Sequence, residues 1–328
     1  MRFGLFIPQG WRLDLVGIDP TRHWDTMNDL VVRADAGDSW ESVWVYDHFH
    51  TVPEPTGEAT HEAWTLMAAF AATTSRVRLG QMCTCMAYRN PAYLAKVAAT
   101  VDIISGGRLE MGIGAGWYEH EWLAYGYGFP RAGARIAALD EGVQIMKQAW
   151  ETGEATLDGT YYQVDRARVH PQPVQPGGIP LWIAGGGEKK TLRIVARLGD
   201  YANLAGEPEA FAHKSAVLEG HCRDVGRDFA EITRSANYNV VIGRDAAEVD
   251  ARLAWLDDHY RAIVPDKADE TMEMFRTGPL VGTPEQIIER LTELRELGMT
   301  YAITYFAEAA YDRSGIELFE REVIPALR

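Results

Sequence analysis

Residues 181–198 have the sequence LWIAGGGEKKTLRIVARL, in which an apolar run is followed by three glycines and then by a helical pattern. Leu192, Val195 and Leu198 recur three residues apart, so one face of the predicted helix would be buried. A strand that passes through a tight turn into a helix is the repeating unit of proteins built on a parallel sheet. This stretch therefore predicts an α/β fold.

The same alternation continues along the whole chain. Eight short runs rich in β-branched and aromatic residues are predicted as strands, and the segments between them have the helical period. These runs are Arg2–Ile7, Ser42–Val45, Val77–Met82, Leu109–Gly114, Leu181–Ala184, Tyr201–Leu204, Ala236–Ile242 and Tyr301–Phe306. The chain has eight such units, and no change in composition marks a linker between them. This pattern favours a closed (β/α)8 TIM barrel over an open doubly wound sheet.

One region interrupts the alternation. Residues 153–180 are rich in proline and turn glycines around the short run Tyr161–Val164, which predicts an insertion that carries a small hairpin over one end of the barrel. Apart from this insertion, residues 1–328 are predicted to form a single barrel domain. Capping residues followed by proline mark the starts of helices at Asp19, Asn90 and Thr283.

Composition narrows the class of protein. The 328 residues are 47% hydrophobic, which is enough for a large core and excludes a disordered chain. The formal net charge of −15 would repel nucleic acids and anionic membranes, so neither is expected as a partner. No segment has the pattern of a signal peptide or a membrane span, and three cysteines are too few for a disulfide framework. We therefore expect a cytoplasmic protein.

The chemistry of a (β/α)8 barrel lies where its strands end, and the strand Ser42–Val45 ends in polar residues. Asp47, His48 and His50 follow it, and this pattern allows a metal ligand set, a loop hydrogen bond from His48, or a proton donor beside a cofactor. A metal site of the amidohydrolase type needs further histidines at the fifth and sixth strand ends. The chain has none there, so no metal is predicted.

Two further strand ends hold small residues. Residues 82–86, Met-Cys-Thr-Cys-Met, contain neither a redox pair nor a zinc site, so they either pack or let the backbone bulge against a flat ligand. Residues 109–118 contain glycine at alternate positions followed by Trp117 and Tyr118, and the spacing is not that of a dinucleotide fingerprint. Such a strand allows something to approach its backbone closely.

The glycine turn after Ala184 has two interpretations. Gly185, Gly186 and Gly187 before a helix form either a tight turn or an anion site, because free N–H groups at a helix start bind phosphate and Thr191 can add a hydroxyl. Basic side chains extend such a site or form a solvated face; they are Lys189, Lys190, Arg193 and Arg197. Together these strand ends imply a phosphorylated, flat, aromatic cofactor such as a flavin or a deazaflavin.

At these residues the chain resembles the bacterial luciferase-like monooxygenase family, and specifically its coenzyme F420-dependent oxidoreductase branch. The resemblance is strongest over four segments, which are Ser42–Phe49, Arg78–Pro91, Ala95–Trp117 and Pro180–Asn203. It implies a (β/α)8 barrel with an insertion, assembly as a homodimer, and F420 as the cofactor. It also implies a non-prolyl cis peptide behind the deazaflavin ring, which corresponds here to the Met82–Cys83 bond.

The resemblance also implies roles for individual residues. His48 is expected to be catalytic as a proton donor, assisted by Asp47 or Tyr118. The residues expected to bind the cofactor are His48, Met82, Cys83, Thr84, Gly116, Trp117, Tyr118, Ala184, Gly185, Gly186, Gly187 and Thr191. Trp117 stands where F420-dependent glucose-6-phosphate dehydrogenases have an acidic residue, which argues against oxidation of a sugar phosphate.

The expected function is hydride transfer between C5 of F420 and a small organic substrate, in the direction of substrate reduction. Two alternatives stay open: an FMN-dependent monooxygenase that uses reduced flavin and oxygen, and a non-catalytic protein that binds the cofactor. Four aromatic residues either line an apolar substrate pocket or belong to the core. They are Trp11, Trp44, Trp64 and Tyr88.

Overall fold

A computed structural model describes residues 1–328, and its centre is a closed barrel of parallel strands. The eight barrel strands are β1 (Arg2–Phe6), β2 (Ser42–Val45), β3 (Arg78–Gln81), β4 (Leu109–Gly114), β5 (Leu181–Ala184), β6 (Tyr201–Leu204), β7 (Thr233–Ile242) and β8 (Tyr301–Tyr305). Each pairs with the next in chain order, and β8 pairs with β1 with Arg2 opposite Tyr301, so the sheet has no free edge. The predicted (β/α)8 TIM barrel is confirmed.

Helices surround the barrel, and two of their predicted starts are confirmed. Asn90 accepts a hydrogen bond from the N–H of Ala92, and Thr283 forms a capping box with Gln286. Asp19 instead caps a short 3-10 turn that precedes the first helix. The α-helices are His23–Ala36, Ala63–Thr73, Pro91–Ser105, Glu119–Ala124, Ala132–Thr152, Thr191–Leu198, Pro208–Val225, Ala246–Ile263, Ala268–Arg276, Pro284–Glu296, Ser314–Leu318 and Ile324–Leu327. None of them combines the length and the apolar character that crossing a membrane requires.

Large aromatic side chains fill the interior of the barrel. The rings of Trp44 and Trp182 are fully buried and pack with centroids 4.7 Å apart. Gly4 and Gly80 make room for them, because a Cβ at either position would lie within 2.5 Å of the Trp44 ring. The interior is thus a packed core, and ligands can be received only above it, at the carboxyl ends of the strands.

The insertion contains the predicted hairpin, whose strands Glu154–Asp158 and Gln163–Arg168 are antiparallel. Its predicted position over one end of the barrel is wrong. The hairpin runs alongside the helix Ala132–Thr152, because the Glu141 carboxylate accepts hydrogen bonds from three successive N–H groups in the hairpin turn. The hairpin is therefore held by a helix, and no residue of the insertion lines the cavities at the mouth of the barrel.

Two short strands were missed by the sequence patterns. Thr84–Cys85 pairs with the end of β4, and Leu280–Gly282 pairs with the end of β7. Between β7 and Leu280–Gly282 the chain makes an excursion of two helices, Ala246–Ile263 and Ala268–Arg276. Side chains of these helices form one wall of the site described next.

Candidate active site

The centre of the site is a contact between His48, which follows β2, and Glu121, in the helix that follows β4. Nδ1 of His48 lies 2.8 Å from Oε2 of Glu121. A carboxylate can only accept, so Nδ1 carries the proton of this hydrogen bond and Nε2 is the nitrogen that can exchange a proton with a ligand. The His48 ring is also stacked on Trp11, with centroids 4.2 Å apart and ring planes 2° from parallel. The ring is thereby fixed from two directions.

Glu121 is completely buried, and its carboxylate is fully engaged. Besides His48 it accepts hydrogen bonds from the N–H groups of Phe49 and His50 and from the hydroxyl of Tyr88, at 2.7, 2.9 and 2.9 Å. Burial alone would raise the pKa of Glu121, but the hydrogen bonds from His48 and the two N–H groups outweigh burial and lower that pKa. Glu121 is therefore an anion that organises the loop after β2 around His48.

The carboxylate of Asp47 makes no hydrogen bond with His48. Its two carboxylate oxygens accept hydrogen bonds from Arg89 at 2.8 and 3.0 Å, and one of them also accepts from the N–H of Cys85 at 3.0 Å. Asp47 is buried and ties the end of β2 to the loop after β3. The expectation that Asp47 assists His48 is wrong in this respect, since the carboxylate that bonds the imidazole belongs to Glu121.

Tyr118 and Trp117 lie beside His48. Their rings are 5.9 and 5.7 Å from the His48 ring, and they stack on each other at 5.2 Å. The hydroxyl of Tyr118 donates to the carbonyl of Thr51 at 2.9 Å, and burial raises its pKa to about 12. This hydroxyl is engaged by Thr51 and makes no hydrogen bond with His48, so Tyr118 contributes a ring surface to the site. Trp117 is 60% exposed at the mouth of the barrel.

The loop after β3 has the backbone geometry that the resemblance implied, with a cis peptide bond between Met82 and Cys83. Cys83 faces a cavity and Met82 is buried. Burial raises the pKa of the Cys83 thiol to about 12, so it stays protonated and serves for packing. The side chain of Thr84 is fully buried and donates to Gln81 at 2.7 Å, so it is not available to a ligand.

The alternate glycines of β4 are explained by this loop. A Cβ at Gly112 would lie 1.8 Å from the carbonyl oxygen of Gln81, and one at Gly114 would lie 2.7 Å from the sulfur of Cys83. Gly116 has a φ of +77° and would place a Cβ 2.5 Å from the sulfur of Cys85. The close approach of the end of β3 and of the loop after it therefore accounts for these glycines.

The glycine turn after β5 offers unused hydrogen-bond donors. The N–H groups of Gly186 and Gly187 make no hydrogen bond within the protein, and neither does the hydroxyl of Thr191. Gly185 has a φ of +123°, which a residue with a side chain rarely adopts. The turn stands at the start of the helix Thr191–Leu198, where the helix dipole favours an anion.

Three concave regions adjoin at the mouth of the barrel. The first, called the glycine cavity here, has a volume of about 380 Å³ and is lined by Cys83, Gly114, Ala115, Gly116, Trp117, Ala132, Arg135, Ile136, Ala184, Gly185, Gly187 and Thr191. The second, called the basic groove, has a volume of about 540 Å³ and is lined by Ile136, Ala137, Asp140, Lys189, Lys190, Arg193, Ile194 and Arg197. Ile136 borders both, so the basic groove continues from the glycine cavity.

The third region, called the aromatic cavity, lies on the other side of Trp117 and has a volume of about 510 Å³. It is lined by Trp11, Arg12, Tyr46, Val52, Pro53, Trp117, Tyr118, Asn237, Tyr260, Glu270, Thr271 and Met274. Of the four aromatic residues singled out from the sequence, only Trp11 lines it. Trp44 fills the barrel, Trp64 belongs to the core, and Tyr88 holds Glu121.

Most of the predicted site residues are thus brought to one mouth, and two important ones were missed. Glu121 is ordinary in the sequence, where a glutamate in a first helical turn indicates only a favourable helix start. Arg12 belongs to no recognisable sequence motif. No group of three or more His, Cys, Asp or Glu side chains is arranged to hold a metal ion.

Comparisons with known proteins agree with this architecture. A family model described as luciferase-like monooxygenase matches residues 1–301. The F420-dependent glucose-6-phosphate dehydrogenase of Kineococcus radiotolerans is 29% identical over 318 residues, which cover 92% of each chain. The pyrimidine monooxygenase RutA of Stutzerimonas stutzeri is 30% identical over 213 residues, or 63% of this chain and 56% of that one. A solved F420-dependent secondary alcohol dehydrogenase in complex with an F420–acetone adduct has the same fold, with a TM-score of 0.79 at 23% identity over 100% of this chain and 99% of that one.

Proposed function

The chain belongs to the luciferase-like monooxygenase family and is an oxidoreductase, and from this premise we propose that it is an F420-dependent reductase of a small organic substrate. The observation that carries the proposal is the continuity of the site. A turn of free N–H donors, a loop that places Cys83 on a cavity wall and a fixed imidazole lie around one barrel mouth, each at a different strand end. This arrangement suits a flat cofactor with a phosphate.

The residues present fit F420 on chemical grounds. Gly186, Gly187 and Thr191 would hold its phosphate, because their donors are unused and stand at a helix start. Cys83, Gly114 and Ala184 present only small side chains to the glycine cavity, so a planar ring would have room beside them. When bound, F420 supplies the hydride donor or acceptor, at C5 of its deazaflavin ring.

His48 would supply the proton that accompanies reduction. Reducing a carbonyl adds a hydride to carbon and a proton to oxygen, and the proton would leave from Nε2 of His48, the nitrogen that Glu121 does not hold. Glu121 would act as a positioning residue, which keeps Nδ1 protonated and the ring in place. The stacking of Trp11 on His48 would keep water away from one face of the imidazole.

The basic groove favours F420 over FMN. Both cofactors have a planar ring system and a phosphate, but F420 continues beyond the phosphate into an acidic oligoglutamate tail. Lys189, Lys190 and Arg193 are exposed, make no ion pair within the protein, and line the groove that continues from the glycine cavity. In a protein with a formal net charge of −15, such a local excess of cations suits an acidic tail.

Fluorescence-quenching titrations with F420 and with FMN test the choice of cofactor. We expect F420 to bind at least about tenfold more tightly than FMN, and a tighter complex with FMN would overturn the proposal. The enzyme is then mixed anaerobically with reduced F420 and a panel of aldehydes, ketones and conjugated acids. Substrate-dependent recovery of the visible absorbance of oxidised F420 would support reduction, whereas binding without reoxidation across the panel would favour a non-catalytic carrier.

A further inference from the structure

The aromatic cavity contains one cation without a counterion. Arg12 is half-buried at its wall, and no carboxylate lies within ion-pair distance of its guanidinium. One of its terminal nitrogens donates to the amide oxygen of Asn239 at 2.7 Å. The guanidinium otherwise lies over the rings of Tyr305 and Phe275, at 4.2 and 5.7 Å from their centroids. It therefore keeps unused N–H donors beside an apolar cavity.

Asp14, two residues along the chain, and Glu270, which lines the same cavity, are both engaged with other groups. Asp14 accepts hydrogen bonds from the N–H of Gly10 and the hydroxyl of Tyr305, at 2.6 and 2.9 Å. Glu270 lines the rim of the cavity and is paired with Lys267 at 3.2 Å. A half-buried cation without an anionic partner gains from a ligand that brings the opposite charge.

We propose that Arg12 receives the carboxylate of the substrate, and that the substrate is a small acid with a planar, apolar body. This inference rests on the proposed function, whose substrate class it names. Trp11, Trp117 and Tyr118 supply flat surfaces for the body of the substrate. Trp11 is adjacent to Arg12 in the chain and stacks on His48, so an acid anchored at Arg12 extends along Trp11 toward the proton donor.

A carboxylate fits this cavity better than a phosphate does. Arg12 is the only cation among the twelve lining residues, and its planar fork of donors matches two carboxylate oxygens. Asn237 adds an amide whose nitrogen has no partner in the protein, while its oxygen accepts from Asn203. A phosphate monoester would bring nearly two negative charges to a single cation, with the Glu270 carboxylate at the rim. The cavity is thus unsuited to a sugar phosphate.

The test compares acids with their amides on the full protein, with and without F420. The probes are cinnamate, 2-naphthoate and indole-3-acetate, each beside its neutral amide, titrated by calorimetry. We expect at least one acid to bind about tenfold more tightly than its amide. The preference for the acid should disappear in Arg12→Gln and be partly kept in Arg12→Lys. The control is Arg223→Gln, which replaces an exposed arginine outside the cavity and should leave the preference unchanged.

Two results would overturn the inference: amides that bind as tightly as acids, or a preference for acids that persists in Arg12→Gln. Thermal unfolding shows whether the variants are folded. If Arg12→Gln does not fold, the role of a cation is decided by whether the wild-type protein prefers acids and whether high salt removes that preference. A failure of F420 to bind would overturn the proposed function instead. The comparison on F420-free protein would then still decide the role of Arg12.

Discussion

Oε2 of Glu121 lies 2.8 Å from Nδ1 of His48, although the two residues are 73 positions apart in the chain. The contact joins the loop after β2 to the helix that follows β4. It settles which nitrogen of the imidazole is committed to the protein. Every chemical role for His48 must therefore use Nε2.

Replacing His48 with alanine removes this nitrogen. We expect His48→Ala to reduce F420-dependent turnover by roughly 10²- to 10⁴-fold, because general acid catalysis contributes about that much. The affinity for F420 should change by less than about threefold, since the phosphate donors are at the glycine turn. Steady-state kinetics and quenching titrations measure the two effects. A turnover rate near that of the wild type would exclude His48 as the proton donor.

Glu121→Gln leaves His48 in the chain but changes what holds it. The amide can still accept from the backbone, but it presents an N–H group where the carboxylate accepted, so the orientation of the ring is lost. We expect turnover to fall by roughly 10- to 100-fold with F420 affinity retained. Measurement of turnover across pH separates this from general unfolding, because a positioning role predicts a changed pH profile. The matched control is Glu119→Gln, an exposed neighbour that should behave as the wild type.

The same variant has a consequence for stability in acid. The pKa of Glu121 is lowered in the folded protein, so its contribution to the free energy of unfolding is present at neutral pH and is lost as the pH falls through that pKa. The stability difference between wild type and Glu121→Gln should therefore shrink as the pH falls below about 4. A difference that stays constant down to the acid unfolding transition would contradict this assignment.

Neutralising the basic groove should discriminate between cofactors. In the triple variant Lys189→Gln, Lys190→Gln and Arg193→Gln, we expect the affinity for F420 to fall about tenfold or more, because the acidic tail loses its counterions. The affinity for FMN, which has no tail, should change by less than about twofold, and it serves as the internal control. Quenching titrations in low and high salt measure both. Equal losses for the two cofactors would assign these residues to the phosphate and not to a tail.

The fold could be predicted from the sequence because it depends on local, repeated patterns. Four of the eight strands, including β2 and β5, have the predicted bounds, and the others differ at their ends by one to three residues. The missed strands Thr84–Cys85 and Leu280–Gly282 are too short to show a period. The hairpin was predicted but misplaced, because its position depends on Glu141, and a capping contact with a turn leaves no pattern in the sequence.

The site was predicted less completely, for a related reason. The glycine turn and His48 could be found because each ends a strand, and strand ends meet at one rim. The partner of His48 could not, because Asp47 is next to it in sequence and Glu121 is not. Asp47 alternates to the opposite side of the extended chain and meets Arg89, whereas Glu121 reaches His48 only through the closure of the barrel. Arg12 was missed because it is distinguished only by having no carboxylate paired with it in the folded protein, which the sequence does not show.

Glu308 provides a test of stability at a strand end that lines none of the three cavities. It follows β8 and is buried, and its carboxylate lies 3.3 Å from Arg252, which also contacts Glu248 and Asp312. Burial raises the pKa of Glu308 to about 7, more than the attraction of Arg252 lowers it. The pKa of Glu308 is higher in the folded protein than in the unfolded chain. The contribution of protonated Glu308 to the free energy of unfolding is therefore fully present below about pH 4.5, and it is lost as the pH rises through about 7.

Glu308→Gln removes the cost of holding a buried charge at neutral and alkaline pH. Relative to the wild type, the variant should gain roughly 1–3 kcal/mol in the free energy of unfolding between about pH 5 and pH 8, since each unit of pKa shift corresponds to about 1.4 kcal/mol. Loss of the contact with Arg252 changes the free energy of unfolding by an amount that does not depend on pH, because Glu248 and Asp312 keep the guanidinium paired. Chemical denaturation at several pH values measures the trend, and Glu296→Gln, an exposed glutamate without an ion pair, is the control with the same charge change. Parallel stability curves for the wild type and Glu308→Gln would show that Glu308 does not titrate near neutrality.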